Sequence, residues 1–587
     1  MQDPRPEAAP DPEAPALAAA LPGPAAGLAG LLGRRRARAG GRFAASAALT
    51  RPAWALALLC AAPAISVLVT ALFGSWELLG LMIQAMLPRY ALATLQLAAL
   101  VGLGAGLIGV GAAVLVTGYA FPGRRLFEVA LVAPLAFPAY VLAYAYTYLL
   151  DHPGPVQTLL REVMGYGPRD YWFPEIRSLG GAALMLTLVL YPYVYLMTRA
   201  ALLHQSVTAQ HVARTLGLPP RKVLLRVTLP MARPAIVGGL ALALMETVAD
   251  FGTVAHFGVQ TFATGIYRAW FSMGDRAAAA QLSVCLLTIA LALAAIERAQ
   301  RGAARRHQAG RRYEALQDVP LTGAAGWTAA LFCFLPVLLG FLAPLAMLGS
   351  MALRAWGPDM MIERYWGFFA NTVILASCGA ALTMGAALMI GYAGRLAPGP
   401  GARAAQLGAS LGYAAPGSVI AVGLLAPLAM LDNQLDAWSR AAFDLPLGLL
   451  FTGSIAAILL AYMTRFMAAG LNAVSAGFET AGPNIDASAR VLGCSVWGVA
   501  RRVHAPMLRG SILTGALIVF VDVTKELPAT LILRPFDFDT LAVQAHRLAS
   551  DERLTEAALP SLAIAAVGMA PVLLLARAIR KSRPGAS

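Results

Sequence analysis

Charged side chains are scarce in this sequence. Of its 587 residues, 13% are charged and 59% are hydrophobic, whereas soluble proteins carry roughly 25% charged residues. The charges are missing from stretches of about 20 residues at a time, which is the length that a helix needs to cross a bilayer core. The composition therefore excludes an ordinary soluble globular protein and predicts an all-α integral membrane protein.

Nucleotide-binding and metal-binding motifs are absent as well. No GxxxxGK[ST] phosphate-binding loop occurs, so ATP would have to be bound by another chain. A GxGxxG match at Gly104–Gly109 lies in the middle of an apolar span, where close helix packing is its expected role. The five cysteines and seven histidines are scattered without ligand spacing. We therefore expect no metal site and no cofactor in this chain.

The net charge of +15 does not indicate a nucleic-acid partner. A nucleic-acid-binding protein concentrates its basic residues on one solvated face, whereas here they are dispersed between apolar spans. When the spans are threaded from an inside N-terminus, the basic loops all fall on one side, as the positive-inside rule requires. We therefore expect the chain to lie in membrane lipid with both termini in the cytoplasm.

Twelve apolar spans follow one another in two sets of six. The first set is predicted at 52–73, 91–119, 126–150, 178–200, 232–253 and 275–297. The second set is predicted at 325–350, 367–394, 404–430, 447–470, 507–533 and 558–579. Since six spans separate equivalent points, the halves form a parallel repeat with the same orientation, and a pathway between them is the expected geometry.

The same pattern divides the chain into four segments. Residues 1–50 are rich in Ala, Pro, Gly and Arg, and we interpret them as a disordered basic cytoplasmic tail. Two six-helix membrane domains are predicted at 51–297 and 325–587. A charged cytoplasmic linker is predicted between them at 298–324.

Two long basic loops repeat each other before the fifth span of each half. The first reads HVARTLGLPPRKVLLRVTLP at 211–230, and the second reads ASARVLGCSVWGVARRVHAP at 487–506. Each has a glycine thirteen residues before a proline, and the two copies lie 276 residues apart. We expect each loop to form a helix, a glycine turn and a second helix that ends at the proline. This would be a rigid projection for a cytoplasmic partner; an ordinary basic loop is the alternative.

Acidic side chains recur in the membrane helix after each loop. At the same offset Glu246 matches Asp522 and Asp250 matches Glu526, and each pair, spaced by four residues, shares one helix face. Acids at the centre of a membrane helix cost about 2.5–3.5 kcal/mol each and usually face protein or water. We predict that they line a translocation pathway together with Lys525. Salt bridges that only fix helix packing are the alternative.

Gly252 and Pro528 occupy equivalent positions just after these acids. Glycine weakens a helix through its backbone freedom, and proline removes a hydrogen bond. A hinge is one interpretation of the two residues, and the ordinary end of a helix is the other.

The repeated loop resembles the EAA signature of ATP-binding-cassette (ABC) importer permeases, in which a Glu-Ala-Ala precedes a glycine and an aliphatic-x-Leu-Pro end. The residues that match the signature are Ala213, Gly217, Val227, Leu229 and Pro230 in the first loop, and Ala489, Gly493, Val503 and Pro506 in the second. The acid departs from the pattern, because His211 stands at the first Glu position and Asp486 lies one residue before the second. The resemblance implies that each loop docks an ATPase subunit.

The helix after each loop resembles the fused permeases of ferric-iron importers. The stretches that carry this resemblance are METVADFGT at 245–253 and VDVTKELPAT at 521–530. It implies the type I importer permease fold with twelve transmembrane helices, in the bacterial inner membrane, and a transport subunit rather than an enzyme. It also implies two partner ATPase subunits that bind ATP and Mg, and a periplasmic binding protein that delivers ferric iron.

Three alternatives stay open from the sequence. In the first, the cargo is thiamine, a polyamine or an oxyanion, because the sequence shows no iron ligands and the binding protein would normally choose the cargo. A secondary transporter shares the helix count and the parallel repeat, but it would not need paired coupling loops. A membrane enzyme has only the charged helix faces in its favour.

Overall fold

The computed structural model describes residues 50–74, 80, 84–168, 170–203, 205, 212–307, 319–355, 362–396, 398–480 and 483–581. Within these residues the protein is a bundle of α-helices with one pair of two-residue strands. The predicted tail at 1–50 lies outside the described residues except for Thr50.

The helices of each half follow the same order. Those of the first half are α1 Thr50–Leu72, α2 Leu87–Gly118, α3 Arg124–Ala130, α4 Ala139–Leu150, α5 Pro155–Met164, α6 Leu179–Leu203, α7 Pro220–Ala249, α8 Gly252–His256, α9 Phe262–Tyr267 and α10 Arg276–His307. Those of the second half are α11 Ala324–Ala355, α12 Ile362–Leu396, α13 Pro400–Ala414, α14 Gly417–Phe443, α15 Ile455–Thr480, α16 Pro483–Val491, α17 Trp497–Thr524, α18 Pro528–Leu533, α19 Leu541–Ser550 and α20 Leu554–Lys581.

The expected twelve membrane spans are confirmed within the described residues. Eleven helices are long and apolar enough to cross a bilayer, and a broken span that bends by 90° between α3 and α4 supplies the twelfth. Helices α6 and α15 begin 276 residues apart, as do the loops that follow them. The parallel repeat of the sequence is therefore a repeat of helices.

Four predicted spans are interrupted rather than straight. The span at 126–150 breaks before Pro138, and the span at 404–430 breaks before Pro416. Each proline has an extended backbone (ψ 147° and 149°) and precedes the first residue of the next helix, because proline disfavours helix at the preceding position. The spans at 232–253 and 507–533 also stop early, where α7 and α17 end.

The first helix of each half packs against the other half. Ala57 and Cys60 of α1 lie in a buried cluster with α12, α13 and α15. Cys333 of α11 lies in the cluster built mainly from α2, α4 and α6. Residues 298–307 of the predicted linker continue helix α10, and strand β1 (Tyr119–Ala120) pairs in parallel with β2 (Val319–Pro320). The two halves therefore interlock, although the domain boundaries themselves stay a prediction.

Candidate translocation site and coupling loops

Helices α7 and α17 stop at equivalent points inside the bundle, and an acidic side chain binds the start of the short helix after each break. The Asp250 carboxylate accepts hydrogen bonds from the N–H groups of Thr253 and Val254 (both 3.1 Å) and from the Thr253 hydroxyl (3.0 Å). Glu526 accepts a hydrogen bond from the Ala529 N–H (3.0 Å). These two acids satisfy helix N-termini, so they have a structural role whatever else they do.

Gly252 and Pro528 are the first residues of α8 and α18. A Cβ atom on Gly252 would lie 2.8 Å from Cβ of Tyr140 and 3.0 Å from Cδ2 of Leu527. The glycine is therefore required by close packing between the halves. The structure places both residues at the chain break, and their action as a hinge stays a prediction.

A cavity of about 190 Å³ lies between the two halves where these helices break. It is lined by all the predicted pathway and hinge residues, which are Glu246, Asp250, Gly252, Asp522, Lys525, Glu526 and Pro528. Helices α6 and α15 contribute equivalent positions to the wall, including Val189 from the first half and Arg465 from the second. The structure thus brings the predicted residues together around one cavity, while their part in transport stays a prediction.

Glu246 and Asp522 differ from the two capping acids. They occupy equivalent positions in the cavity wall and are half-buried. Among the described residues, neither carboxylate has a hydrogen-bond or ion-pair partner. The same part of the chain contains no group of three or more His, Cys, Asp or Glu side chains placed to hold a metal ion. The two carboxylates therefore differ from Asp250 and Glu526 in having no hydrogen-bonding role within the described part of the chain.

Arg465 is not among the residues predicted from the sequence, although it adds a positive charge to the cavity wall. Its Nε lies 3.1 Å from Oε2 of Glu526, and the two side chains are 13% and 5% exposed. Gly417 lies beside this pair, and a Cβ there would collide with Glu526 Oε1. A single arginine within an apolar span was the available signal, since such residues normally face the bundle interior.

Lys525 links the two halves across the cavity. Its Nζ donates a hydrogen bond to the backbone carbonyl of Leu135 (2.9 Å), which lies just before the break between α3 and α4. The equivalent residue in the first half is Ala249, which cannot make such a bond. The lysine therefore has a packing role as well as a place in the cavity wall.

A buried layer of aromatic and histidine side chains lies between the cavity and the end of the bundle that carries the 151–177 loop. The Tyr144 hydroxyl lies 3.0 Å from His546 Nδ1 and joins the two halves. His256 Nε2 lies 3.1 Å from Thr147 Oγ1, and the Tyr267 hydroxyl donates to the Pro528 carbonyl. This layer therefore packs across the interface between the halves.

An ion pair joins the halves beyond this layer. The Arg177 guanidinium donates two hydrogen bonds to Glu552 (both 2.8 Å), and its Nε donates to Asp151 (2.9 Å). These hydrogen bonds lower the pKa of the Glu552 carboxyl and raise the pKa of Arg177. The halves are therefore held together by charge at this surface, outside the membrane-spanning helices.

The two repeated loops have the same turn. Gly217 and Gly493 have φ angles of +82° and +84°, in the left-handed region that favours glycine. The N–H after each glycine donates to the carbonyl of Ala213 or Ala489, at 3.1 Å in both loops. This is the Schellman pattern that ends a helix. The predicted glycine turn is thus present in both copies, whereas His211 lies outside the described residues.

The helix after each turn does not end at proline, contrary to the expectation from sequence. Pro230 and Pro506 lie inside α7 and α17, two residues after π-helical turns at Leu224–Thr228 and Ala500–His504. Proline lacks an N–H and clashes with the carbonyl four residues earlier, and the wider π turn before it accommodates that defect. Val227 and Val503 are half-buried in these turns, and Leu229 is the first residue of α7 after the π turn.

The surfaces of the two loops carry exposed leucines at equivalent positions. Leu216 is 77% exposed and Leu492 is 83% exposed, and each lies directly before the turn glycine. Asp486 points elsewhere, because it contacts Arg395 and His504 on neighbouring helices. Exposed apolar side chains on a rigid turn are typical of a protein-binding surface.

Similarity to known proteins extends through most of the chain. Residues 105–306 match the sequence model of the family described as "Binding-protein-dependent transport system inner membrane component". This segment belongs to that family of transport permeases. The Fe(3+)-transport system permease protein FbpB 2 of Haemophilus influenzae is 25% identical over 82% of the permease and 88% of its own length. The molybdenum transport system permease protein ModB of Escherichia coli is 28% identical over 30% of the permease and 74% of its own length.

These similarities settle the class of the protein. The permease has the type I fold and is a double-length transport subunit of an ABC importer in the inner membrane, not an enzyme. The matched family segment includes the first repeated loop and the first pair of cavity acids. A permease of a binding-protein-dependent importer works with an ATPase and with a periplasmic binding protein.

Proposed function

We propose that the permease carries ferric iron across the inner membrane through the cavity between its halves. The observation that carries the proposal is the pair of partner-free carboxylates, Glu246 and Asp522, at equivalent positions in the cavity wall. Carboxylate oxygens are hard ligands that suit hard cations, and conduction requires binding that is weak enough to release the ion. The named cargo of the FbpB 2 relative supports ferric iron for this chain.

The proposed complex places the repeated loops in the cytoplasm. Basic loops lie on that side by the positive-inside rule, and both termini then lie in the cytoplasm. A periplasmic binding protein delivers the cargo at the other face, where the Arg177–Glu552 pair holds the halves together. Two ATPase subunits bind ATP and Mg and dock on the two loops, with Leu216 and Leu492 as their apolar contacts.

The cargo proposal is tested in proteoliposomes that contain the permease, its ATPase subunits and its binding protein. The double variant Glu246→Gln/Asp522→Asn removes both free charges, and we expect ferric-iron uptake to fall at least tenfold, since about 1.4 kcal/mol corresponds to a factor of ten. Asp444→Asn changes an exposed acid outside the cavity and is the matched control. Wild-type uptake by the double variant would refute the role of these acids.

The docking proposal has a separate readout. Leu216→Asp and Leu492→Asp each place a charge in the proposed ATPase contact, and we expect less ATPase to copurify with the permease. Leu445→Asp alters an exposed leucine between α14 and α15, outside the spanning helices and away from the repeated loops, and serves as the control for the substitution itself. Unchanged ATPase binding in both loop variants would exclude these leucines as the contact.

An oxyanion is the second candidate cargo, because the ModB relative is named for molybdenum transport. The cavity contains two cations, but Arg465 is paired with Glu526 and Lys525 is bound to a backbone carbonyl. An anion would also have to pass four carboxylates, which disfavours it. Excess molybdate should therefore leave ferric-iron uptake unchanged, and competition by molybdate would favour the oxyanion.

A further inference from the structure

Asp486 is bound to the membrane helices rather than presented by the second loop. Its Oδ2 accepts a hydrogen bond from Arg395 Nε (2.8 Å), and its Oδ1 lies 2.6 Å from His504 Nε2. Both carboxylate oxygens are thus used within the chain. Asp486 also lies in the first turn of α16, where an acid is favoured by the helix dipole.

The partners of Asp486 are themselves fixed by packing. Arg395 also donates to the Phe478 carbonyl (2.9 Å), and its guanidinium carbon lies 5.4 Å from the centre of the Phe478 ring. His504 is 2% exposed and packs edge-on against the rings of Tyr392 and Phe478. The contacts join the ends of α12 and α15 to α16 and to the start of α17.

Helix α17 extends this connection to the cavity. It runs without a break from Trp497 to Thr524, so His504 near one end and Asp522 near the other belong to one helix. A half-buried carboxylate that is hydrogen-bonded through both oxygens resists separation from its partners, because breaking a bond leaves a polar group unsatisfied. A displacement of α16 would therefore act through Asp486 and His504 on the helix that carries Asp522.

The first half lacks the side chains that make this connection. The residues 276 positions before Asp486 and His504 are Gln210 and Thr228, neither of which carries a charge. The contact that the structure shows near this point is one hydrogen bond from Gln205 Nε2 to the Thr228 carbonyl (3.0 Å). The loops therefore share a turn but differ in their attachment to the bundle.

We infer that Asp486 is a positioning residue that couples the second ATPase to the cavity, and that the two ATPase sites contribute unequally to transport. The inference rests on the proposed docking of ATPase subunits at the loops. Asp486 does not contact the ATPase in this arrangement. It fixes α16 so that force applied at the loop moves α17.

The test measures ferric-iron uptake and ATP hydrolysis in the same proteoliposomes, with ATPase binding measured separately. We expect Asp486→Asn to lower the uptake per ATP hydrolysed about tenfold, within the range of typical coupling effects, while the ATPase still binds. Asp486→Glu keeps the charge and should restore most of the ratio. Arg395→Gln should match Asp486→Asn, and the double variant should be no worse than either single variant because they break one connection.

Arg403→Gln is the control, because it removes an exposed arginine from α13 and should keep the wild-type ratio. A wild-type ratio in Asp486→Asn, or equal impairment in Asp486→Glu, would overturn the inference. A proportional fall of uptake and hydrolysis would also overturn it, since that result shows only a loss of folded complex. If the wild-type permease bound no ATPase, the proposed docking at the loops would be wrong. Failure of the docking proposal is thus distinguished from failure of the inference about Asp486.

Discussion

The two halves of the permease share a backbone and differ in charge. In the cavity, the first half contributes Glu246 and Asp250, whereas the second contributes two acids and both cations. The equivalents of Arg465 and Lys525 are Val189 and Ala249. The halves therefore build one cavity from equivalent positions but unequal chemistry, and the second half balances most of its own charge.

The same contrast recurs at the loops. The turn glycines have φ angles within a few degrees of each other, and the hydrogen bonds around them have the same pattern. The second loop is tied to the bundle by a carboxylate, whereas residues 204–228 of the first half include no acid. Changes to the backbone should therefore affect the two halves equally, and changes to charge should affect them unequally.

The largest effect is expected from breaking the Arg465–Glu526 pair. Arg465→Met leaves a buried carboxylate unpaired, which costs about 3–5 kcal/mol of stability. The midpoint of thermal unfolding in detergent, or the yield of monodisperse protein, measures the loss. Val189→Met places the same side chain at the equivalent site of the first half and should cost much less.

Adding Glu526→Gln to Arg465→Met tests the cause of that effect. The amide still accepts the Ala529 hydrogen bond but carries no charge, so much of the lost stability should return. A double variant that is as unstable as Arg465→Met would show that the arginine acts through its packing instead.

The second-largest effect is expected when the first half receives a lysine at the position equivalent to Lys525. Ala249→Lys adds a positive charge to the cavity wall, where charges interact at an effective dielectric constant of about 20. We expect ferric-iron uptake to fall at least tenfold, because repulsion of a trivalent ion of about 1.4 kcal/mol suffices for that factor. Ala249→Met adds similar bulk without charge. An equal loss of uptake in that variant would mean that the size of the side chain, and not its charge, causes the effect.

The turn glycines test whether changes to the backbone affect the two halves equally. Gly217→Ala and Gly493→Ala force a Cβ into left-handed backbone, which costs roughly 1–2 kcal/mol at each site. Thermal unfolding should show similar losses for the two variants. Gly510→Ala alters a helical glycine whose added Cβ meets nothing within 4 Å, and it should be neutral or stabilising. A loss in only one loop variant would contradict the shared turn.

Features that repeat in the sequence could be predicted, and features set by packing between the halves could not. The loop glycines, the paired acids and the twelve spans follow from spacing and hydropathy alone. The sequence does not show that Asp250 and Glu526 accept hydrogen bonds from helix N-termini while Glu246 and Asp522 have no such partner. All four are acids at equivalent positions of the two membrane helices. Only the positions of the helix breaks distinguish them.

Two other differences have local physical causes. The sequence predicts helix ends at Pro230 and Pro506, but a π turn before each lets the helix continue. At Pro138 and Pro416 the apolar pattern predicts a continuous span, although proline interrupts the helix. Hydropathy reports burial in lipid and is insensitive to where a helix bends, so neither outcome could be deduced from it.

The smallest effect is expected at the Arg177–Glu552 pair, which has no counterpart because the equivalent residues are Gly453 and Arg276. Hydrogen bonds from Arg177 lower the pKa of Glu552 in the folded protein, relative to an unfolded value of about 4.3. The stabilisation is therefore fully present above that value and is lost as the pH falls through the lower, folded pKa. Since Glu552 is largely exposed, it amounts to no more than about 1 kcal/mol.

Glu552→Gln should remove this contribution at neutral pH and leave acid stability nearly unchanged. The measurement is the difference in unfolding midpoint between wild type and variant at pH 7 and at pH 3, which should shrink on acidification. Glu162→Gln changes an exposed acid on α5 near the same surface and should show no such trend. A difference in unfolding midpoint between wild type and Glu552→Gln that is independent of pH would mean that this contact between the halves depends on shape and not on charge. The difference in charge between the halves would then matter only at the cavity and the second loop.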